Sequence, residues 1–581
     1  MKQLQAIFPI FDWLPKYNKS DFQGDLAAGL TVGVMLIPQG MAYSMLAGLP
    51  PIYGLYASII PILLYAILGT SRQLAVGPVA MASLLVASGL APIVSAETDP
   101  STYLNLAILL ALLVGIFRLV LGLLRLGFLV SFLSQPVISG YTSAAALIIG
   151  LSQLKHLLGI KIPNSNYIHE VLYNAVLNIS AINMITFLIG LGGIGLMLWL
   201  KQINKKYKLS IPGPLAIVVI ASLLVIGFGL VTQGVAIVGE VPKGLPTPGL
   251  PGFDWKTIEQ LLPTAITIGL IGYMESIAVA KAIQAKHKTY KVSANQELIA
   301  LGIANIGGAF FQGFPVNGGF SRSAVNDQAG AKTPMAGIIS AVLILLTLLF
   351  LTPLFYYLPN AVLASVVMVA VFGMIDFKEV RHLWKTDRRD FWMLIITFLA
   401  TLSIGVVEGI VIGVILSLGL LIYRSTQPHV AILGRVPGTD YYRNLKRFEE
   451  LDHRPDLLIV RFDAELYFAN TEFFSDTLDQ LIAEKAKTLK CFIFDAESIN
   501  GIDSTAMHAI EDLLQKLQKL NIPWLWCDVK GPVRDRLEKA GLTAKIGPEN
   551  FFISIQDAVD CFDHNQEVPH QKYTLQNNVK S

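Results

Sequence analysis

The sequence predicts an α-helical membrane domain of about fourteen transmembrane segments, followed by a C-terminal soluble α/β domain. Three observations carry that reading. Charge density changes sharply near residue 425, apolar stretches long enough to span a bilayer precede the change, and strands alternate with helices after it. Of the 581 residues, 53% are apolar and 15% charged, against roughly 25% charged in soluble domains. Residues 1–425 carry 17 acidic and 26 basic residues, and residues 426–581 carry 24 and 18. The first part is thus about 10% charged, too apolar for a surface in water. The second is about 27% charged, as in an ordinary soluble domain.

This composition excludes a purely soluble enzyme, and no nucleophile–base pair, CxxC or HExxH spacing suggests catalysis, a cofactor or a metal. The near balance of charge leaves no concentrated basic face for nucleic acid. The three cysteines, Cys491, Cys527 and Cys561, all lie in the soluble part. An odd number of scattered thiols fits a reducing compartment. Residues 1–25 mix Lys, Asp, Pro and aromatics without the apolar core of a signal peptide.

A transmembrane helix needs about 20 apolar residues. Clear candidates are Leu104–Leu124, Ile182–Leu200, Ala216–Val231, Gly337–Leu351, Ala361–Met374, Phe391–Ile404 and Val411–Ile422. Segments 26–48, 52–68, 74–90, 128–150, 262–283, 293–310 and 315–330 are interrupted by Gly and Pro. Basic clusters set the orientation. Lys201, Lys205, Lys206 and Lys208 form one, Lys281, Lys286, Lys288 and Lys291 a second, and the loop 378–389 holds Lys378, Arg381, Lys385, Arg388 and Arg389. With the N-terminus inside and fourteen spans, all three clusters and the part after Arg424 are inside. The long stretch 233–262, which has two lysines but no basic cluster, is then outside, as are Lys155 and Lys161.

The membrane part contains a weak internal repeat. AGLTVGVMLIPQGMA (28–42) and TAITIGLIGYMESIA (264–278) pair Thr31 with Thr267, Gly33 with Gly269, Gln39 with Glu275 and Ala42 with Ala278 at an offset of 236. Gly77-Pro78-Val79 meets Phe314-Pro315-Val316 at 237. Seven spans per repeat is an odd number, so the second repeat is inverted. Unwound backbone at membrane depth is tolerated only where protein buries it or it lines a cavity. Two such breaks at matching places point to a midplane binding site. Short helices starting after each break would aim their positive N-terminal ends at each other, which suits an anion. The alternative is a pair of helix kinks.

Ionisable and polar residues inside spans are costly and usually functional. Glu275 lies mid-helix, where a carboxyl can take up and release a proton; alternatively it pairs structurally with Arg322 or Lys281. Arg322, in NGGFSRSAV after the second break, can grip an oxyanion through a bidentate fork, or act as the counter-ion of Glu275. Ser321 and Ser323 offer hydroxyls beside it, or N-caps. Asn317 shapes the break or binds a ligand. Gln39 suits a substrate contact or ties two helices together, and Tyr43, one turn on, packs or binds. Glu297 reads as a structural cap or gate near the inner interface, and Glu408 as interfacial. Arg118 and Arg125 are expected to snorkel to the inner headgroups.

After residue 426 the chain reads as βαβα with a mostly parallel sheet. LLIVRFDAELYFAN (457–470) suggests two strands around a turn, TEFFSDTLDQLIAEKA an amphipathic helix and KCFIFDA (490–496) a buried strand. DSTAMHAIEDLLQKLQKL (503–520) suggests a helix capped by Asp503 or Ser504, and IPWLWCDV (522–529) a strand before helix GPVRDRLEKAGL.

These motifs resemble a known family. PQGMAYSMLAGLPPIYGLY (38–56), AVGPVAMASLL (75–85) and NQELIALGIANIGGAFFQGFPVNGGFSRSAVNDQAGAKT (295–333) closely resemble the sulfate permease (SulP) family of anion transporters. INGIDSTAMHAI (499–510) is similar to the STAS domain that follows the membrane domain in that family. The likeness covers nearly the whole chain in the right order. It implies seven plus seven inverted segments forming a core and a gate domain, with an anion between the head-to-head third and tenth segments. Here those breaks are Val76-Gly77-Pro78 and Pro315–Ser321, completed by Gln39 and Glu275 from the first and eighth segments. Together with the reading of the polar residues above, it gives expected substrate contacts at Gln39, Tyr43, Val76, Gly77, Pro78, Asn317, Ser321 and Arg322. It also implies proton coupling at Glu275, because this sequence keeps the Glu and Arg of sulfate-transport members and lacks the Asp-based sodium site of bicarbonate members. Ser504 matches the phosphorylated Ser of related anti-sigma-factor antagonists, although a capping role suits it as well. The expected organisation is a transport domain over 1–425 (repeats roughly 21–232 and 257–424), a cytoplasmic STAS domain over 426–565 and a tail over 566–581.

The functional expectation is a proton-coupled sulfate transporter of the plasma (inner) membrane. It would act as a homodimer by an elevator-like motion, with no cofactor and no enzymatic activity. The same pocket chemistry also serves bicarbonate, a dicarboxylate or another oxyanion, coupled to sodium or uncoupled. A channel, or a receptor signalling through the STAS domain, is the reading from another class.

Overall fold

The computed structural model describes residues 7–94, 99–128, 134–160, 168–207, 212–240, 244–252 and 254–564. Lys161, Lys208 and the tail 566–581 lie outside the described residues. The chain separates into two compact units, Met1–Ser417 and Leu418–Ser581.

In the first unit α1 (Lys19–Leu46) starts from a reciprocal cap: Asn18 accepts from Ser20 and Asp21 backbone N–H groups, and the Asp21 carboxylate accepts from the Asn18 N–H. There follow α2 (Pro51–Leu68), a short extended segment β1 (Val76–Gly77), α3 (Ala80–Leu90), α4 (Pro100–Leu123), α5 (Gln135–Ser152), α6 (Met184–Tyr207) and α7 (Gly213–Gly227). The second half repeats the series. It runs α8 (Trp255–His287), α9 (Ala294–Phe310), β2 (Asn317–Gly318), α10 (Phe320–Gln328), α11 (Met335–Leu346), α12 (Asn360–Phe372), α13 (Phe377–Thr386), α14 (Arg388–Ser403) and α15 (Val406–Thr426). Among the described residues nine helical stretches are long and apolar enough to cross a membrane. Setting α13 aside, the series is seven helices followed by seven, with α3 and α10 each short because an unwound segment precedes it.

These helices sort into two groups. The helices α1–α4 pack with α8–α11, while α5–α7 pack with α12 and α14. The first group depends on small residues: a Cβ on Gly115 of α4 would lie 2.8 Å from the Gly302 carbonyl oxygen of α9, so only glycine lets these backbones touch. Large apolar side chains point outward, among them Leu188 and Trp199 on α6, Leu223 on α7 and Ile415 on α15. Such a surface is what lipid covers, and the chain is an integral membrane protein. The segment read from the sequence as the basic loop 378–389 is instead largely helical: α13 is capped by Asp376, which accepts from the Lys378 and Glu379 N–H groups.

The second unit is a six-stranded sheet flanked by helices. Its strands are β3 (Val430–Arg435), β4 (Tyr442–Asn444), β5 (Leu457–Phe462), β6 (Cys491–Asp495), β7 (Trp524–Cys527) and β8 (Phe551–Phe552), in the order β4-β3-β5-β6-β7-β8. The four from β5 to β8 are parallel, and β3 is antiparallel to both neighbours. The helices are α16 (Thr471–Glu484), α17 (Ser504–Lys519), α18 (Gly531–Lys539) and α19 (Ile555–His564). The two strands expected over 457–470 are one strand, β5, followed by a turn. There Asn470 accepts from the Tyr467 N–H and donates to the Glu465 carbonyl, closing the chain on itself. Only an isolated bridge, Leu466 to Ile502, remains of the second.

Candidate anion site

Both breaks lie side by side in the middle of the first helix group. Val76 pairs with Gly318 and Gly77 with Asn317 in a two-residue antiparallel ladder, the arrangement an inverted repeat produces. Helices α3 and α10 leave this ladder, and neither has a side-chain cap at its start (Val79 and Gly319). Their first-turn N–H groups are therefore free of side-chain caps.

Polar side chains satisfy the rest of the unwound backbone, as burial at membrane depth demands. Ser323 accepts from the Ala75 N–H at 2.9 Å and donates to the Gly319 carbonyl at 2.7 Å. Ser276 accepts from the Gly318 N–H at 2.8 Å and donates to the Gly272 carbonyl at 2.6 Å. Asn305 brackets Val316, accepting from its N–H at 2.9 Å and donating to its carbonyl at 3.0 Å. Asn326 donates to the Gln73 carbonyl. Ser323 is thus a strut of the ladder.

Several of the buried polar atoms left without hydrogen-bond partners lie at or beside the breaks. Arg322 is 2% exposed, and its Nε and Nη2 have none. Its guanidinium lies over both breaks: a Cβ on Gly77 would be 3.5 Å from Nη2, and one on Gly319 would be 2.9 Å from it. Gly77 has φ +150°, a backbone conformation that glycine adopts without strain. On α1, Gln39 is buried with an unpartnered Oε1, and the buried Tyr43 lies within electrostatic range of Arg322. Val76, Gly77 and Pro78 are buried in the ladder. Asn317 is buried with an unpartnered Nδ2. Ser321 and Phe320 are exposed at the start of α10, facing open space.

Glu275 sits on α8, partly buried, and makes no hydrogen bond or ion pair among the described residues. The pairing with Arg322 or Lys281 does not form: Lys281 is exposed, and Arg322 turns to the glycines of the breaks. The charge bearing on Glu275 is Arg118. Arg118 does not snorkel. It is 0% exposed, donating through Nε to the Gly269 carbonyl (3.0 Å), through Nη1 to that of Val316 (3.2 Å), and through Nη2 to that of Ile268 (3.0 Å) and to Asn317 Oδ1. Sequence reading placed it at the headgroups because a basic residue near a helix end usually reaches outward. The contrary signal was its position a full turn and more inside α4. Arg125 is exposed, as expected.

Glu297 is buried and structural, accepting from the Tyr65 hydroxyl at 2.8 Å, from Thr70 N–H and hydroxyl at 2.7 and 2.6 Å, and from the Ser71 N–H at 3.1 Å. In the second unit the cap of α17 is Asp503, which accepts from the N–H groups of Ala506 and Phe468 at 2.9 and 2.8 Å. Ser504 is exposed beside it and does not cap the helix. No group of His, Cys, Asp and Glu among the described residues could hold a metal ion.

Comparison with known proteins places the chain in a family. The STAS domain profile matches residues 450–558. The sulfate transporter 4.1 of Arabidopsis thaliana, a chloroplast protein, is 40% identical over 98% of this chain and 85% of its own length. High affinity sulfate transporter 2 of Stylosanthes hamata is 36% identical over 96% and 87%. Among solved structures, murine Solute Carrier 26 family member A9, an anion transporter in the inward-facing state, superposes with a TM-score of 0.90 at 26% identity, covering 97% of this chain and 95% of that one. The transmembrane domain of a cyanobacterial bicarbonate transporter shares the fold over 69% of this chain, with a TM-score of 0.59 at 24% identity. With the sulfate permease family profile matching residues 22–397, the chain belongs to the sulfate permease family and carries a C-terminal STAS domain.

Proposed function

We propose that this protein is a secondary active transporter of sulfate, coupled to protons through Glu275 and working by an elevator-type movement. The observation that carries this reading is the convergence, at one buried ladder, of two uncapped helix starts with the unpartnered Nε and Nη2 of Arg322. Each helix start carries roughly half a positive charge, and the guanidinium presents two donors in the plane an oxyanion matches. Unpaired buried donors are costly, and an anion held between the helix starts would satisfy them. The sulfate transporters among its relatives support the choice of anion.

The anion would rest between the starts of α3 and α10, contacting the backbone at Gly77 and Ser321 and the Arg322 guanidinium, with Gln39, Tyr43 and Asn317 lining it. Its charge is offset when Glu275 takes up a proton on the way in. Helices α1–α4 and α8–α11, which hold the site, would form the core that slides against α5–α7, α12, α14 and α15. The protein would sit in the plasma (inner) membrane; the basic clusters favour a cytoplasmic N-terminus and STAS domain, and family likeness favours a homodimer.

The test is uptake of labelled sulfate by protein reconstituted in liposomes, under an inward proton gradient, an inward sodium gradient, or neither. Proton-driven uptake that Glu275→Gln abolishes is the expected result. Sodium-driven uptake, or unchanged proton-driven uptake by E275Q, removes the coupling role from Glu275. Transport of bicarbonate or a dicarboxylate but not sulfate overturns the substrate.

A further inference from the structure

Arg118 is a fully buried cation of the first helix group that the mechanism above does not use. All four of its hydrogen bonds go to two elements that matter: the Ile268 and Gly269 carbonyls of α8, and Val316 and Asn317 at the second break. Around it the packing leaves no slack. A Cβ on Gly269 would collide with the Phe117 ring, and one on Gly272 with the Asn317 amide. Its guanidinium is therefore a fixed point, fully buried with its donors committed to these acceptors.

The titratable groups on α8 and on the elements around it can be taken in turn. From α4 there is Arg118, and from α5 the buried Tyr141, whose hydroxyl is unpartnered and feels the Glu275 charge. On α8 itself Tyr273 donates to the Ala294 carbonyl. The helix α3 brings no titratable residue. From α9, Glu297 is taken up by Tyr65, Thr70 and Ser71, and on α10 Asp327 is taken up by Lys286 and His287. Arg322, also on α10, faces the breaks. Among the described residues Arg118 is thus the cation whose charge bears on Glu275.

We propose that Arg118 is a positioning residue for coupling: it locks α8 to the second break and supplies the fixed positive charge against which Glu275 gains and loses its proton. The inference rests on Glu275 being the coupling carboxyl. A fixed cation favours the deprotonated carboxylate. Without it, Glu275 holds its proton to higher pH, and the pH at which uptake falls off moves upward. Because Arg118 spends its donors on protein acceptors, it reaches the anion only through Asn317, and its charge acts chiefly on when the proton leaves.

The experiment measures sulfate uptake against pH in liposomes for the wild type, Arg118→Gln, Arg118→Lys, Glu275→Gln and the double variant R118Q/E275Q. R118Q is expected to raise the midpoint of the pH profile by about one unit with the sulfate KM changed less than about threefold. R118K, which keeps the charge but not the fork, is expected to keep the midpoint and lose several-fold in turnover. In the E275Q background R118Q is expected to leave the profile flat. A wild-type midpoint in R118Q, or a shift that persists without Glu275, overturns the inference. If R118Q does not fold, as judged by size exclusion and thermal denaturation, R118K decides: a retained midpoint with lower turnover supports it, and a shifted midpoint overturns it. A wild type with no pH dependence fails earlier, at the coupling reading, whereas a pH-dependent wild type with an indifferent R118Q fails only here.

Discussion

The two units use polar and apolar side chains in opposite ways. The soluble unit buries an aromatic centre, with Phe474, Phe492, Phe494 and Trp526 all inaccessible, and leaves its charges, Asp495 apart, at least partly exposed. The membrane unit turns Leu188, Leu223 and Ile415 outward and keeps Arg118, Arg322, Asn305, Asn317 and Ser323 inside. In water, removing apolar surface drives folding. In lipid that drive between helices is missing, and small-residue contacts and internal hydrogen bonds take its place. Polar residues at the centre of the membrane unit therefore both hold the breaks and form the site, while polar residues of the soluble unit mostly cap and solvate.

That contrast is most exposed to test at Arg322. A buried guanidinium with two unpartnered nitrogens should matter more to the ligand than to the fold. Arg322→Gln is expected to raise the sulfate KM roughly ten- to a hundredfold, about 1.4 to 2.8 kcal/mol of binding. The thermal stability measured without sulfate should stay the same or rise, since an unpaired buried charge is removed. The checking measurements are saturation kinetics in liposomes and a melting curve with and without sulfate. A large loss of stability with unchanged KM would make Arg322 a structural member like Ser323.

A paired deletion sharpens the comparison from the apolar side. Phe494 touches Phe474 and Trp526 edge to face, with centroids 5.7 and 4.9 Å away. Phe494→Ala is expected to destabilise the soluble unit by about 3–5 kcal/mol. Leu223→Ala, on a lipid-facing residue 63% exposed in the protein, is expected to change stability by no more than about 0.5 kcal/mol. Amide hydrogen exchange on the intact protein resolves the two. Equal losses would mean that the outward leucines pack against protein.

Legibility in the sequence follows the same division. The soluble unit's helices were readable because their faces alternate at helical period and Asp503 announces a start. The two breaks were readable because Pro and Gly interrupt apolar runs at a constant offset. Arg118 was not, since sequence shows a basic residue near a helix end but not which carbonyls of α8 it meets. The partnering of Glu275 was missed for the same reason: a charge's partner inside a membrane is set by three-dimensional crossing, not by spacing along one helix. The strand expected after β5 was lost to Asn470, whose side chain closes a turn that apolar alternation alone does not reveal.

The smallest effect tests whether the soluble unit, too, keeps one polar residue under strain. Asp495 ends β6 at 3% exposure. Burial, opposed by a hydrogen bond from the Glu497 N–H and reinforced by the Asp528 charge, pushes its carboxyl from 3.8 up to about 6. Nearby Arg461 gives little relief because its guanidinium is committed to Asp463. The folded form binds the proton more tightly than the unfolded chain, so the sign is fixed. Any stabilising contribution is present below about pH 4 and is lost as pH rises through about 6. Two units correspond to about 3 kcal/mol as an upper figure. Asp495→Asn keeps the Oδ1 that accepts from Glu497 and removes the charge. It is expected to raise protection of the β6 amides by roughly 1–3 kcal/mol at pH 7.5 and by nothing at pH 4, read by hydrogen exchange on the intact protein. A gain equal at both pH values would trace to shape rather than charge. No gain at either would mean that Asp495 is solvated well enough to ionise freely, and the soluble unit would then hold none of the buried polar tension that the membrane unit concentrates at its breaks.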